Sequence, residues 1–399
     1  MILNTCAFCA APLPFTAPRC GRCSTRYCDK QCQARHWNAE SGAHKRRCGK
    51  IERAGGAEAS YAKRNTADAL VKAMQACKED VAGETCYICK VSDKYLVRGC
   101  ACRGTMGAVH LACLVKMATL ANEEDPYHAG PKESLWSKWS RWHTCGLCRQ
   151  QYHGEVRCAL GWTCWGIYMQ RPQGNNLRNA AMRLLGDGLQ SCGRTEEALA
   201  AYRAHLVDTR RYDFPNLEDD RTKKQWIVTT QHEISRCLND LGQDAKALRM
   251  QRAIYDECLA MFGAESPEWL HSFASVVNSL VRVGHFTEAR TLAWSLVKGC
   301  ELSMVVNFID IYIRIATSFA IALWKDPSSP ARWDGASPAE AAATRLDDTY
   351  VRSRRVLGPT HPVTRKVREA FKECMAANVS CTYTMRASRV ILDDIKNLS

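Results

Sequence analysis

The sequence contains no glycine-rich phosphate loop, no HExxH pair and no GxSxG elbow. Nucleotide hydrolysis, zincin-type proteolysis and serine-hydrolase chemistry therefore lack their usual apparatus. Long uncharged apolar runs are also missing. The most apolar stretch, Val305 to Trp324, is interrupted by Asp310 and Arg314, and either charge is costly at bilayer depth. It reads as a buried helix of a helical repeat, and no membrane association is expected. The opening, MILNTCAFCAAPLP, lacks the basic and apolar regions of a secretory signal. A disulfide framework formed in an oxidising compartment is thus not expected, and the reading is a cytoplasmic or nuclear protein.

What the chain has in excess is cysteine, 23 in 399 residues, with 16 of them in the first 158. Clustered CxxC pairs outside a secreted context read as metal sites. Composition divides the chain into four regions: 1–50, cysteine-rich and basic; 51–84, a linker with one short helix over Ala67–Ala76; 85–160, again cysteine-rich; and 161–399, helical in pattern.

The first series is Cys6-x2-Cys9, Cys20-x2-Cys23, Cys28-x3-Cys32 and His44-x3-Cys48. Zinc takes four thiolate or imidazole ligands in a tetrahedron, and eight ligands in four pairs fit two ions. So short a segment builds little apolar core, so metal binding must supply much of its folding energy. The run His44-Lys45-Arg46-Arg47 reads as a solvated face. The segment Tyr27-Cys28-Asp29-Lys30-Gln31-Cys32-Gln33, followed by His36-Trp37 and His44-Lys45, resembles MYND-type zinc fingers. That resemblance implies interleaved ligand sets, Cys6, Cys9, Cys28 and Cys32 for one zinc and Cys20, Cys23, His44 and Cys48 for the other. A few extra residues between Trp37 and His44 leave His36 as the rival to His44. It also implies binding of proline-containing peptides.

The second series is Cys86-x2-Cys89, Cys100-x-Cys102, His110-x2-Cys113 and Cys145-x2-Cys148. RING-CH and PHD fingers share this ligand order. The single residue between Cys100 and Cys102, the seven before His110, and Trp142 standing three rather than two residues before Cys145 favour the former. Cys100-Ala101-Cys102-Arg103-Gly104 leading into Val109-His110-Leu111-Ala112-Cys113-Leu114 resembles the RING-CH core. The resemblance implies a cross-brace, with Cys86, Cys89, His110 and Cys113 on one zinc and Cys100, Cys102, Cys145 and Cys148 on the other. Four Zn²⁺ per chain are expected, two per module. Seven thiolates against two divalent ions leave each module at about −3, which brings the formal +14 down to about +8. That weakens the case for a nucleic-acid partner. The long loop from Cys113 to Cys145 carries Trp136, Trp139 and Trp142, which fit either a core or an exposed surface.

RING-type ligases hold a ubiquitin-charged E2 enzyme in a reactive pose, so their gain is positional. The resemblance implies E2-docking roles for Ile88 and Leu147 and a bridging role for Arg149, with no covalently catalytic residue. Met117 stands where the family commonly has an E2-contacting tryptophan, and the transmembrane helices of membrane RING-CH ligases are lacking.

In the last region Gly193, Gly242 and Gly284 recur at steps of 49 and 42, each followed five residues later by alanine: Ala198, Ala247 and Ala289. A degenerate copy surrounds Ala341, and a second marker recurs around Gly263 and Gly358. Each glycine ends a helix where φ is positive, and each alanine sits where two helices pack closely. Over roughly 175–375 the pattern resembles tetratricopeptide (TPR) repeats of the kinesin light chain kind, with armadillo or HEAT-like pairs the alternative. Cys77, Cys164, Cys192, Cys237 and Cys300 are expected to be buried and inert. The fold class is thus small zinc-stabilised modules followed by an all-α repeat domain. The function implied is a soluble E3 ubiquitin ligase whose MYND finger and repeats recruit protein substrates. The alternative is a non-catalytic zinc-binding interaction scaffold. Chromatin or nucleic-acid binding ranks third.

Overall fold

The computed structural model describes residues 6–11, 13, 16–39, 44–103, 106–123, 135–212, 220–264, 266–299, 309–330, 335–359 and 361–377. The side chains of Trp136 and Cys300, and Gly104, lie outside this description. The chain divides into two compact units, Met1–Cys237 and Leu238–Ser399.

The first unit begins with α1 (Lys30–Asn38) and α2 (His44–Arg53). Asp29 caps α1 by accepting a 2.7 Å hydrogen bond from the Cys32 backbone N–H. Lys45, Arg46 and Arg47 lie on the exposed side of α2, while His44 and Cys48 point inward. Next comes α3 (Ala57–Cys77), a 21-residue helix rather than the short one expected over Ala67–Ala76. Its buried face is small, with Ala62, Ala69 and Ala73 repeating at helical spacing, so it escapes a search for large apolar residues. That face lets it pack closely on α6 (Gly154–Tyr168). The Thr66 hydroxyl contacts the Trp162 carbonyl oxygen at 3.3 Å, and Tyr61 meets Trp162 edge-on.

Between α3 and α6 lie the antiparallel strands β1 (Leu96–Val97) and β2 (Val109–His110), then α4 (Leu111–Glu123) and α5 (Leu135–Ser140). Arg98, just past β1, reaches back to the end of α3 and donates to the carbonyl oxygen and carboxylate of Asp80 at 2.6 and 3.0 Å. Trp139 and Trp142 are core: both are buried, with ring centroids 5.8 and 6.1 Å from that of Tyr168 on α6. Gly99 lies so close to α6 that a Cβ there would come within 2.6 Å of Val156. The unit continues with α7 (Asn176–Ser191), α8 (Thr195–Arg211) and most of α9 (Asp220–Asp240), whose last turn begins the second unit.

The helices that follow are α10 (Asp244–Phe262), α11 (Pro267–Arg282), α12 (Phe286–Gly299), α13 (Ile309–Lys325), α14 (Pro338–Leu357) and α15 (Pro362–Ala377). The recurring glycines sit in one shared turn. Gly193, Gly242 and Gly284 have φ of 79°, 73° and 83°. In each case the next residue's N–H closes onto a leucine carbonyl five positions back: Arg194 to Leu189, Gln243 to Leu238, His285 to Leu280. This closure satisfies the last open carbonyls of the first helix. Ala198, Ala247 and Ala289 are each fully buried, as close helix pairing requires. Gly263 and Gly358, the second marker, likewise end α10 and α14 with positive φ. TPR-like helix pairs result within each unit. The apolar run seen in the sequence becomes α13. Its Ile311, Ile313, Ile315, Phe319 and Leu323 are buried within a core shared with α11, α14 and α15, and residues 305–308 lie outside the description. Among the described residues no helix is long and apolar enough to cross a membrane.

Candidate metal centres

Four CxxC segments adopt one and the same knuckle. In each, the N–H of the residue after the second cysteine bonds the carbonyl of the first: Ala10 to Cys6, Ser24 to Cys20, Lys90 to Cys86 and Arg149 to Cys145, all at 2.9–3.0 Å. The first cysteine's own N–H then bonds the carbonyl five residues on, at Ala11, Thr25, Val91 and Gln150. Closing so tight a loop forces Ala10, Ser24, Lys90 and Arg149 to φ between 58° and 61°, although none is glycine. An L-residue in that region costs roughly 1–2 kcal/mol. Four such residues held at corresponding positions indicate that something repeated, the sulfur pair, over-determines the loop.

The knuckle turns backbone N–H groups toward the first sulfur. At Cys6 burial pushes the thiol up, but the N–H groups of Cys9 and Phe8 outweigh it and bring it down to about 6. Cys86 behaves alike: burial opposes, the N–H groups of Cys89, His110 and Ile88 prevail, and the value is again about 6. At Cys145 the Cys100 thiol's hydrogen bond leads, with further N–H groups from Cys148 and Leu147, and it falls to about 4. Other cluster sulfurs are held the other way: burial and neighbouring sulfurs push Cys32, opposite Cys6, Cys113, opposite Cys86, and Cys48, opposite Cys20 and Cys23, up to about 12. Crowded thiolates repel, and a divalent cation among them relieves that repulsion.

The sulfurs and imidazoles converge on four points. Cys6, Cys9, Cys28 and Cys32 form one cluster; Cys20, Cys23, His44 and Cys48 a second; Cys86, Cys89, His110 and Cys113 a third; Cys100, Cys102, Cys145 and Cys148 a fourth. Within each, the ligand atoms lie within 4.8 Å of one another. Measured pairs include Cys9–Cys28 at 3.4 Å, Cys20–Cys48 at 3.8 Å, Cys102–Cys145 at 3.8 Å and Cys23–His44 Nε2 at 3.3 Å. A zinc tetrahedron with bonds of about 2.3 Å has edges of about 3.8 Å, so donor set and spacing both fit zinc. His36 stands outside: its Nδ1 is 3.1 Å from the Tyr27 hydroxyl, and buried Tyr27 packs edge-on against His44.

His110 presents Nδ1 to Cys89 and Cys113, at 3.2 and 3.8 Å. Its Nε2–H donates to Asp93 Oδ1 at 2.9 Å. The same carboxylate oxygen accepts the Tyr95 N–H at 2.7 Å. That backbone bond first, and His110 with it, holds Asp93 below the usual carboxylate range. Nothing in the ligand spacing marks Asp93; it is a carboxylate that orients a metal-binding imidazole and raises its basicity. Replacing Asp93 with alanine is expected to speed zinc loss from this one cluster by about 10- to 100-fold. Release into a chromogenic chelator measures it, with the other three clusters as internal controls. An unchanged rate for all four ions would remove this role.

The implied E2-contact residues cluster on the knuckles. Ile88 is half-buried inside the third cluster's knuckle, and Leu147 and Arg149 are exposed on that of the fourth. Met117 is half-buried on α4.

Known family models match within both cysteine-rich segments. Residues 6–48 match the MYND finger, and residues 86–125 match the RING-variant domain. The RING-variant match stops short of Cys145 and Cys148, which the fold nonetheless brings to Cys100 and Cys102. MYND and RING-variant modules carrying such clusters bind zinc. No curated protein matches the chain. Two solved structures are similar, both described as Podosopora anserina putative kinesin light chain nearly identical TPR-like repeats, one of them a glutamine-to-methionine variant. Each is 14% identical, covers 55% of this chain and 94% of its own, and the TM-scores are 0.39 and 0.37.

Proposed function

We propose that the protein is a zinc-dependent E3 ubiquitin ligase of the RING-variant type. Each of the four clusters holds one zinc ion through the residues named above. Its RING-variant module docks a ubiquitin-charged E2 enzyme, while the MYND finger, through proline-containing peptides, and the helical repeats recruit protein substrates. The single observation that carries this reading is the spatial pairing in the RING-variant module. Cys86, Cys89, His110 and Cys113 converge at one point and Cys100, Cys102, Cys145 and Cys148 at another, with Ile88, Leu147 and Arg149 on the two knuckles. In this scheme zinc is structural, and the chain contributes position alone. Ile88 and Leu147 offer apolar contact. The Arg149 guanidinium, with its fork of donors, spans carbonyls of E2 and ubiquitin. The domain limits 1–50, 51–84, 85–160 and 161–399 belong to the same proposal, as does a reducing cytoplasmic or nuclear setting in which the thiolates persist.

The test is discharge of ubiquitin from a panel of charged E2 enzymes by the full-length, zinc-loaded protein. Stimulation is expected with at least one E2. Arg149→Ala is expected to lower it by about 10-fold or more, in line with losing one transition-state contact, at unchanged zinc content. Silence across the panel with four zinc ions bound would overturn the ligase reading. A non-catalytic scaffold is the second reading, and Met117 favours it: a flexible thioether is a poorer anchor for E2 than the tryptophan usual there. Peptide binding without any E2 affinity is its signature.

A further inference from the structure

Among the described residues, outside the sixteen finger ligands, one more set of metal-ligating side chains converges. Helices α6 and α7 approach through glycine. A Cβ at Gly188 would lie 2.8 Å from the Arg157 carbonyl oxygen and 3.0 Å from Cys158 Cα, and one at Gly161 would lie 2.9 Å from the Leu184 carbonyl oxygen. That close contact brings Cys192, at the end of α7, to Cys158 on α6, with sulfurs 3.1 Å apart. Glu155, one turn before Cys158, stands on the same face of α6. The carboxylate and both sulfurs all lie within 4.8 Å of one another. Cys192, expected to be buried, is only half-buried, as is Glu155, whereas Cys158 is fully buried. The set borders a cavity of about 300 Å³ walled by Asn65, Asp68 and Lys72 of α3 and by Arg194.

We propose that Glu155, Cys158 and Cys192 form a fifth metal site, taking a thiophilic divalent ion such as Zn²⁺ and leaving one coordination position facing the cavity. Two thiolates and a carboxylate are a donor set that zinc accepts, and three protein ligands with an open fourth position filled by water is an arrangement it adopts. Three such anions around a dication leave about one negative charge, and of the other charged side chains lining the cavity Lys72 and Arg194 are cationic and Asp68 anionic. Arg194 is held there by Asn65 at 2.8 Å and Glu197 at 2.7 Å. A disulfide between the two cysteines would leave the converging carboxylate without a role.

The test is native mass spectrometry of the full-length protein equilibrated with excess Zn²⁺. Five ions per chain are expected, the fifth lost first on dilution. Cys192→Ser and, as a near-isosteric second variant, Glu155→Gln are each expected to weaken only the fifth by more than about 10-fold, since even outer-shell losses cost that much. Circular dichroism verifies that both variants keep the wild-type fold. Four ions in the wild-type protein at zinc excess would overturn the proposal, as would a fifth that persists in both variants. So would a Cys158–Cys192 disulfide in metal-treated protein, shown by peptide mapping without reductant.

Discussion

Removing zinc is expected to unfold the two finger segments, residues 6–53 and 86–153, while the helices of residues 238–399 stay folded. In the first finger the buried apolar cluster comprises Cys6, Cys20, Cys23, Tyr27 and Cys48, with only Leu13, Cys32, Trp37 and Ile51 partly buried against it. Every fully buried member except Tyr27 is a proposed ligand. Burying one such side chain is worth about 1.5–3 kcal/mol, whereas fixing each backbone residue costs about 1–2 kcal/mol. Forty-odd residues cannot be held on those terms. Each structural zinc adds roughly 10–16 kcal/mol, several times what any one of these buried side chains contributes, and the first finger must also hold Ala10 and Ser24 in the left-handed region. The readout is hydrogen exchange after treatment with a strong chelator. The knuckle amides of Cys6, Cys20, Cys86 and Cys145, each bonded inside its own loop, should lose protection together. Amides in α11 and α13 should not, because among the described residues the second unit holds no such cluster. Knuckle amides still protected in protein shown to be zinc-free would sink the claim that metal binding folds these segments.

Much of this architecture was legible because its physics is local. The zinc ligand pairs here sit two to four positions apart, on a tight loop or one turn of helix, so spacing alone separates metal sites from scattered thiols, and the four clusters use the paired residues. The helical register was legible for a similar reason: Gly193, Gly242 and Gly284 answer a backbone need, and Ala198, Ala247 and Ala289 a steric one. What escaped depends on surfaces meeting across the fold. Trp139 and Trp142 could not be placed until Tyr168 was seen beneath them. The length of α3 was hidden by its alanine face, which carries little hydrophobic contrast. Asp93 and His110 are 17 residues apart, Cys158 and Cys192 are 34, and no periodicity links either pair. The E2-facing roles of Ile88, Leu147 and Arg149 rest on family resemblance, since their burial alone suits an ordinary finger surface equally well.

Asp208→Ala is expected to be the most damaging single substitution tested within α6–α8, costing about 3–5 kcal/mol of stability. Arg178 and Asp208 pair at 3.0 Å with side chains only 7% and 4% exposed. The same guanidinium donates through Nε to the Met169 carbonyl at 3.2 Å and stacks over Trp165. Beside it Asn179 donates to the Thr209 hydroxyl at 3.2 Å, so one buried polar layer ties α7 to α8 and to the end of α6. Deleting the carboxylate leaves a guanidinium that cannot shed its charge and cannot reach water without parting the helices. The penalty is that stranded charge rather than the strength of the pair, because a well-packed apolar replacement of both partners is often neutral or stabilising. Arg178→Met combined with Asp208→Leu should therefore recover most of the loss. The exposed pair Arg252–Glu288, 2.7 Å long with both side chains about half exposed, sets the contrast: Arg252→Ala should cost under about 1 kcal/mol. Urea unfolding of the zinc-loaded protein, followed by hydrogen exchange in α7 for the first unit and α11 for the second, measures all three. A small loss for Asp208→Ala, or a double variant no more stable than the single, would show that water or a rearranged neighbour satisfies Arg178 and that the layer does not lock these helices.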